Sequence, residues 1–140
     1  MVQAQAIIPR TVPYQDANVA ADDIRRECDW NTRLSDFIVE YAKGAAVIAD
    51  QSTPPSGGRT LSMVVSNLHA IAGNGFTGPK WAVVHGELRD GDQAVGSFTF
   101  RRTSRGKWTT CSTLTSIAEE LGEDIGDWLH HPSMEASHGD

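Results

Sequence analysis

The chain reads as α+β: a two-layer α/β sandwich with a mostly antiparallel sheet and two helices packed on one face, in the order β-α-β-β-β-β-α. Three observations carry that reading. A hydrophobic period of 3.6 appears twice, near residues 30–43 and 114–129. An Asp-Gly pair joins two alternating runs between residues 81 and 102. And 140 residues, 39% of them apolar, are the size of one domain with its own core. Residues 1–130 are taken as that domain and 131–140 as a disordered tail.

In chain order, Ala6-Ile7-Ile8 is a short strand. The stretch after it is polar and broken by Pro9 and Pro13, which confine any strand there to an edge or a sheet end. The run Asp22-Asp23-Ile24-Arg25-Arg26-Glu27 reads as a solvated turn or helical turn. Trp30, Leu34, Phe37, Ile38 and Tyr41 then form the apolar stripe of an amphipathic helix. Asn31 or Thr32 is its expected N-cap, Asp36 complements its positive end, and Lys43-Gly44 closes it.

Ala45 to Ala49 is a short buried strand, and Gln51 to Gly58 a loop rich in turn residues. Thr60 to His69 is a longer strand with Leu61, Met63 and Val65 on one face. The loop Ala72 to Pro79 holds Gly73, Gly75 and Gly78, but a strand follows it where a phosphate cradle needs a helix N-terminus. In the hairpin, Ala82, Val84, Gly86 and Leu88 share an apolar face with Ala94, Gly96, Phe98 and Phe100. Trp81, Val83, His85 and Glu87 lie opposite with Val95, Ser97, Thr99 and Arg101, a mixed face. Leu114, Ile117, Ala118, Leu121, Ile125, Trp128 and Leu129 define the last helix, which should start near Ser112 or Thr113; Ser116 and Glu119 have capping-box spacing. Its small residues Ala118, Gly122 and Gly126 suit close approach to a sheet or partner helix.

Composition narrows the function. Twelve Lys+Arg against eighteen Asp+Glu give a net charge of −6, which argues against a dedicated nucleic-acid binder. The longest apolar run, Ala45 to Ala49, is far too short to cross a bilayer. Met1 to Ala6 has neither the basic start nor the apolar stretch of a secretory signal. G-x-S-x-G and H-E-x-x-H motifs are lacking, no nucleophile-base pair can be named, and no cofactor is expected.

The two cysteines, Cys28 and Cys111, lack C-x-x-C spacing, and each lies just ahead of a predicted helix. If the helices pack side by side the sulfurs can meet, so a disulfide is preferred over two buried free thiols. His69, His85 and Glu87 would make a 2-His-1-carboxylate metal set if their strands paired in the right register; mixed-face polarity is the plainer reading. His130, His131 and His138 are terminal and solvated. For partner binding, the candidates are Phe76, Lys80, Arg101, Arg105, Lys107 and Trp108, with Trp81 beside them, since Trp and Arg are enriched at binding hot spots. Arg101, Arg102, Arg105 and Lys107 crowd one stretch, whereas residues 119–140 hold seven acids and no Lys or Arg.

The segments Glu27-Cys28-Asp29-Trp30-Asn31-Thr32-Arg33-Leu34, Arg59-Thr60-Leu61-Ser62-Met63, Phe76-Thr77-Gly78-Pro79-Lys80, Gly86 to Asp90, Gly96 to Arg102 and Thr110-Cys111-Ser112-Thr113-Leu114 together carry a resemblance. Over about residues 24–130 the chain resembles a family of small, uncharacterised proteobacterial secreted proteins and lipoproteins. The fold of that family is similar to the periplasmic α/β domains of curli-export, Tol-system and penicillin-binding-protein-activator lipoproteins. Both cysteines fall where that family's do, though the N-terminal lipobox cysteine of its lipoprotein members is lacking. The resemblance implies a periplasmic or secreted protein with no known enzyme activity. The expected role is therefore non-enzymatic binding of an envelope protein, with exposed sheet edges leaving a homodimer open. A small-molecule or metal-binding domain using His69 and His85 is the alternative, and an enzyme inhibitor or immunity-type protein a lower one.

Overall fold

The computed structural model describes residues 5–49, 58–70, 79–104 and 109–139. Its elements are β1 (Ala6–Ile8), α1 (Asp22–Glu27), α2 (Trp30–Ala42), β2 (Ala46–Ile48), β3 (Arg59–His69), β4 (Lys80–Asp90), β5 (Gln93–Ser104), α3 (Thr110–His130) and β6 (Ala136–His138). Among the described residues the strands form a six-stranded sheet ordered β2-β1-β3-β4-β5-β6. The long strands β3, β4 and β5 make an antiparallel meander, while β1 pairs parallel with both β2 and β3, and β6 parallel with β5. The expected two-layer sandwich is present, with two additions. The charge run at Asp22 is a helix of six residues whose Ile24 is buried.

The second addition is a correction. Residues 131–139 are not a disordered tail. Ala136, Ser137 and His138 pair with Phe98, Thr99 and Phe100 along the free edge of β5. Ser97 N–H donates to the Ser133 carbonyl at 3.0 Å, and Glu135 N–H to Ser97 Oγ at 2.8 Å. Backbone groups on that edge thus find partners in the tail, which composition alone does not reveal.

The sheet has two unlike faces. Leu61, Met63, Val65, Ala82, Val84, Leu88, Phe98 and Phe100 are buried against the helices. The alternate positions point away, and no described element packs over them.

α2 and α3 lie side by side. Ideal Cβ atoms at Gly122 and Gly126 would stand 2.5 Å from Phe37 Cβ and 2.8 Å from the Ala42 backbone nitrogen. One turn along α3 therefore matches one turn along α2 in the same direction, so the helices run parallel. Their starts are joined by the Cys28–Cys111 disulfide, with a Cα–Cα separation of 5.1 Å. α3 begins earlier than its apolar stripe suggests. Thr109 is its N-cap, and Thr109 and Ser112 form a reciprocal capping box in place of Ser116 and Glu119. α2 begins at Trp30 after Asp29, which makes no side-chain capping bond.

Asn31 and Ser35, both buried, have another use. Ser35 Oγ donates to the Pro9 carbonyl at 2.7 Å, Asn31 Nδ2 donates to the Val12 carbonyl at 2.9 Å, and Val12 N–H donates to the Asn31 carbonyl at 3.2 Å. These bonds draw residues 9–12 toward α2. The chain returns to β3 only at Tyr14, through a parallel bridge to Val65.

Candidate functional site

The sheet face that no described element covers is the candidate site, and strand register orders it. Reading across β3, β4 and β5, the rows are Ser62–Glu87–Ser97, Val64–His85–Thr99, Asn67–Val83–Arg101 and His69–Trp81–Thr103. A bulge between Val65 and Asn67 keeps both ends of β3 in phase with the face. Polar side chains here bond to one another: the His85 ring to Thr99 Oγ1 at 3.0 Å, and Arg89 Nε to Glu87 at 2.7 Å.

One end of the face carries a stack. The Trp81 ring lies parallel to His69, centroids 4.0 Å apart, and the Arg101 guanidinium sits 4.8 Å from the Trp81 ring centre. His69 belongs to β3 and Arg101 to β5, so Trp81 on β4 is held from both sides. Its indole N–H donates to Asn67 Oδ1 at 3.1 Å. The stack presents a fixed cationic and aromatic rim of the kind that anchors protein contacts.

The sequence-derived candidates separate on this map. Arg101 is exposed and in the stack. Lys80 is buried instead, with 2% exposure: it opens β4 on the same side as Ala82 and Val84, so alternation turns it inward rather than toward a partner. Phe76, Arg105, Lys107 and Trp108 lie outside the described residues. His69 and His85 share the face but not a site. His69 stands opposite Trp81, four residues along β4 from His85, or about 13 Å at the usual strand rise. Register therefore breaks up the 2-His-1-carboxylate set. Among the described residues no three His, Cys, Asp or Glu side chains are placed to hold a metal.

Arg102 of the basic stretch meets the acidic last helix. Arg102 makes two bonds of 2.8 Å to Asp124 of α3 and lies 3.8 Å from Glu120. That pairing joins sheet to helix. Alternation of apolar and mixed faces along the two hairpin strands is the signal that sets Arg101 and Thr103 beside Trp81, since a bulge between Leu88 and Arg89 shifts by one residue any register counted out from the turn. His69 was beyond that signal, because a long loop separates β3 from β4.

Fold and face together define a small α+β sandwich with one sheet face that no described element covers. No family model matches the chain, and no curated protein matches it. Solved structures share the fold. Protein XCC0632 from Xanthomonas campestris, a DUF330 protein, aligns at TM-score 0.54 and 12% identity over 91% of this chain and 82% of its own. The PelC dodecamer from Paraburkholderia phytofirmans aligns at TM-score 0.51 and 15% identity over 89% of this chain and 91% of its own. A minor lipoprotein from Acinetobacter baumannii gives a TM-score of 0.49 at 11% identity, over 88% and 91%.

Proposed function

We propose that the chain is a non-enzymatic cell-envelope protein, periplasmic or secreted, that works by binding another protein through the open sheet face. The observation that carries the reading is the Arg101–Trp81–His69 stack on a face that no described element covers. The address is supported by the Cys28–Cys111 bond, since structural disulfides persist in oxidising compartments. The finer likeness to periplasmic domains of curli-export, Tol-system and penicillin-binding-protein-activator lipoproteins belongs to the same proposal.

The partner is an envelope protein, and a second copy of this chain is the first to test because the PelC neighbour is a dodecamer. The edge strands β2 and β6 are three residues each, a length that disfavours edge-to-edge pairing, so the face is the preferred contact. A photo-crosslinking residue replacing Val83, with Arg101→Glu and Trp81→Ala made in that background, tests this. Adducts to a discrete partner should form, and each substitution should weaken binding about 30-fold, as for a hot-spot residue. Unchanged adducts in both variants overturn the assignment. Thiols that alkylate without reductant in the protein taken from cells overturn the address.

A further inference from the structure

The detour of residues 9–12 opens a slot through the sheet. Its volume is about 340 Å³. Ile8, Leu61 and Met63 line it from the core side, and Ile7, Thr60 and Ser62 from the open side, because the strands on its two walls have parted. Pro9 and Pro13 stand where the chain leaves and returns.

The backbone edge of β3 faces this slot. Val65 N–H donates to the Pro13 carbonyl at 2.8 Å, and Gln15 N–H donates to the Val65 carbonyl at 2.9 Å. A strand's period of two turns Met63 and Leu61 the same way. In an unbroken parallel ladder Pro9 would stand between them, giving an N–H to Leu61 and taking one from Met63. Proline has no N–H to give, and the Pro9 carbonyl accepts from Ser35 Oγ instead. An acceptor at Leu61 and a donor and acceptor at Met63 therefore border an apolar slot. None of the described residues lining it is charged, so an ionic ligand would lose its hydration with no described charge to offset it.

We propose that the slot binds a small neutral N-acyl amide: one secondary amide joined to an aliphatic or aromatic body. The amide carbonyl accepts from Met63 N–H, the amide N–H donates to the Leu61 or Met63 carbonyl, and the apolar body fills the slot. This site is separate from the Trp81 stack and stands or falls independently of it.

An amide-resolved NMR titration of the full chain with N-acetyl-phenylalaninamide tests the proposal. Saturable shifts at Leu61, Met63 and Val65 are expected, with Kd about 0.1–1 mM for a ligand of about fifteen non-hydrogen atoms. N-acetyl-N-methyl-phenylalaninamide keeps the ring and both carbonyls without the secondary amide N–H, and should bind at least about ten-fold more weakly. Ser62→Trp, or Thr60→Trp on the same exposed rim, should block the mouth with a similar loss while leaving the remaining spectrum dispersed. No saturable Met63 shift at about 10 mM probe overturns the proposal. So does equal binding of the N-methyl analogue, or of the probe to either folded tryptophan variant.

Discussion

Replacing Gly126 by alanine should destabilise the protein, although alanine is the better helix former. On a free helix surface the change is favourable by about 1 kcal/mol. Here the new methyl would stand 2.8 Å from the Ala42 nitrogen, 2.8 Å from the Tyr41 carbonyl carbon and 2.9 Å from Tyr41 Cβ. Two of those atoms are backbone, so no rotamer change removes the clash. Reaching the usual carbon contact of about 3.5–4.0 Å requires the helices to part by about 1 Å, which forfeits a quarter to a half of the dispersion energy at each opened contact. Overpacking of this kind costs about 1–3 kcal/mol, so the net loss should be about 1–2 kcal/mol once the helix gain is subtracted. Gly122→Ala should act similarly, since its methyl meets Phe37 Cβ at 2.5 Å and the Ile38 nitrogen at 3.1 Å. The pair should be less than additive, because both methyls demand the same separation of the helices. Urea unfolding of the oxidised protein, followed by tryptophan fluorescence, measures all three. A Gly126→Ala protein more stable than the parent would refute parallel packing of α2 on α3.

Three further outcomes are expected. Opening the Cys28–Cys111 bond, which spans 83 positions, should cost about 4–5 kcal/mol in the chain-entropy model, read as a lower urea midpoint for the Cys28→Ser/Cys111→Ser protein; a loss under about 1 kcal/mol would contradict it. Burial pushes the Tyr14 phenol above the ordinary tyrosine range of about 10, against a smaller opposing effect of the Trp30 N–H it accepts, and a hydrogen bond to Glu119 foremost raises Tyr41. The folded state thus favours neutral phenols. Their contribution is intact below the unfolded tyrosine pKa and lost as pH rises through the folded one, so tyrosinate absorbance should develop above pH 10 alongside unfolding. Tyrosinate half-formed by pH 10 in folded protein would refute that. Arg102→Lys should cost about 1 kcal/mol or more in the same urea assay, since lysine cannot reproduce the two parallel bonds to Asp124, whose side chain is only 13% exposed; an unchanged midpoint would reduce the pair to a surface contact.

Legibility followed the range of the interaction. The α2 stripe and the hairpin around Asp90-Gly91 are local and stand where period and turn chemistry put them, and the two faces alternate as expected except at Ala94, which a bulge beside Leu88 sets opposite Arg89. The small residues of α3 announced a close approach, and Phe37 and Tyr41 supply the partner. Three things lay beyond local pattern. Thr109 caps α3 ahead of any apolar repeat, because the capping box precedes the stripe it serves. Ala136–His138 are polar and terminal, yet pair with β5 because that edge needs partners. Lys80 is turned inward by strand phase, which a cation's usual preference for water hides. At the candidate site, Arg101 and Trp81 share a face by strand alternation, whereas His69 joins them only through the β3–β4 register.

Polar residues on α2 also show how one helix serves both layers. An N-cap role for Asn31 would have used its side chain on its own helix. Placed one turn apart, Asn31 and Ser35 instead satisfy the Val12 and Pro9 carbonyls and hold the strand's continuation off the sheet. The same helix is fixed to α3 at its start by the disulfide and toward its end by Gly126. A rigid helix pair is thus the base against which β1 is bent, and the slot beside Met63 follows from that bend. Loosening the helix pair, by reduction or by Gly126→Ala, should therefore change the slot before it changes the Trp81 stack, which Arg101, His69 and Asn67 hold from within the sheet.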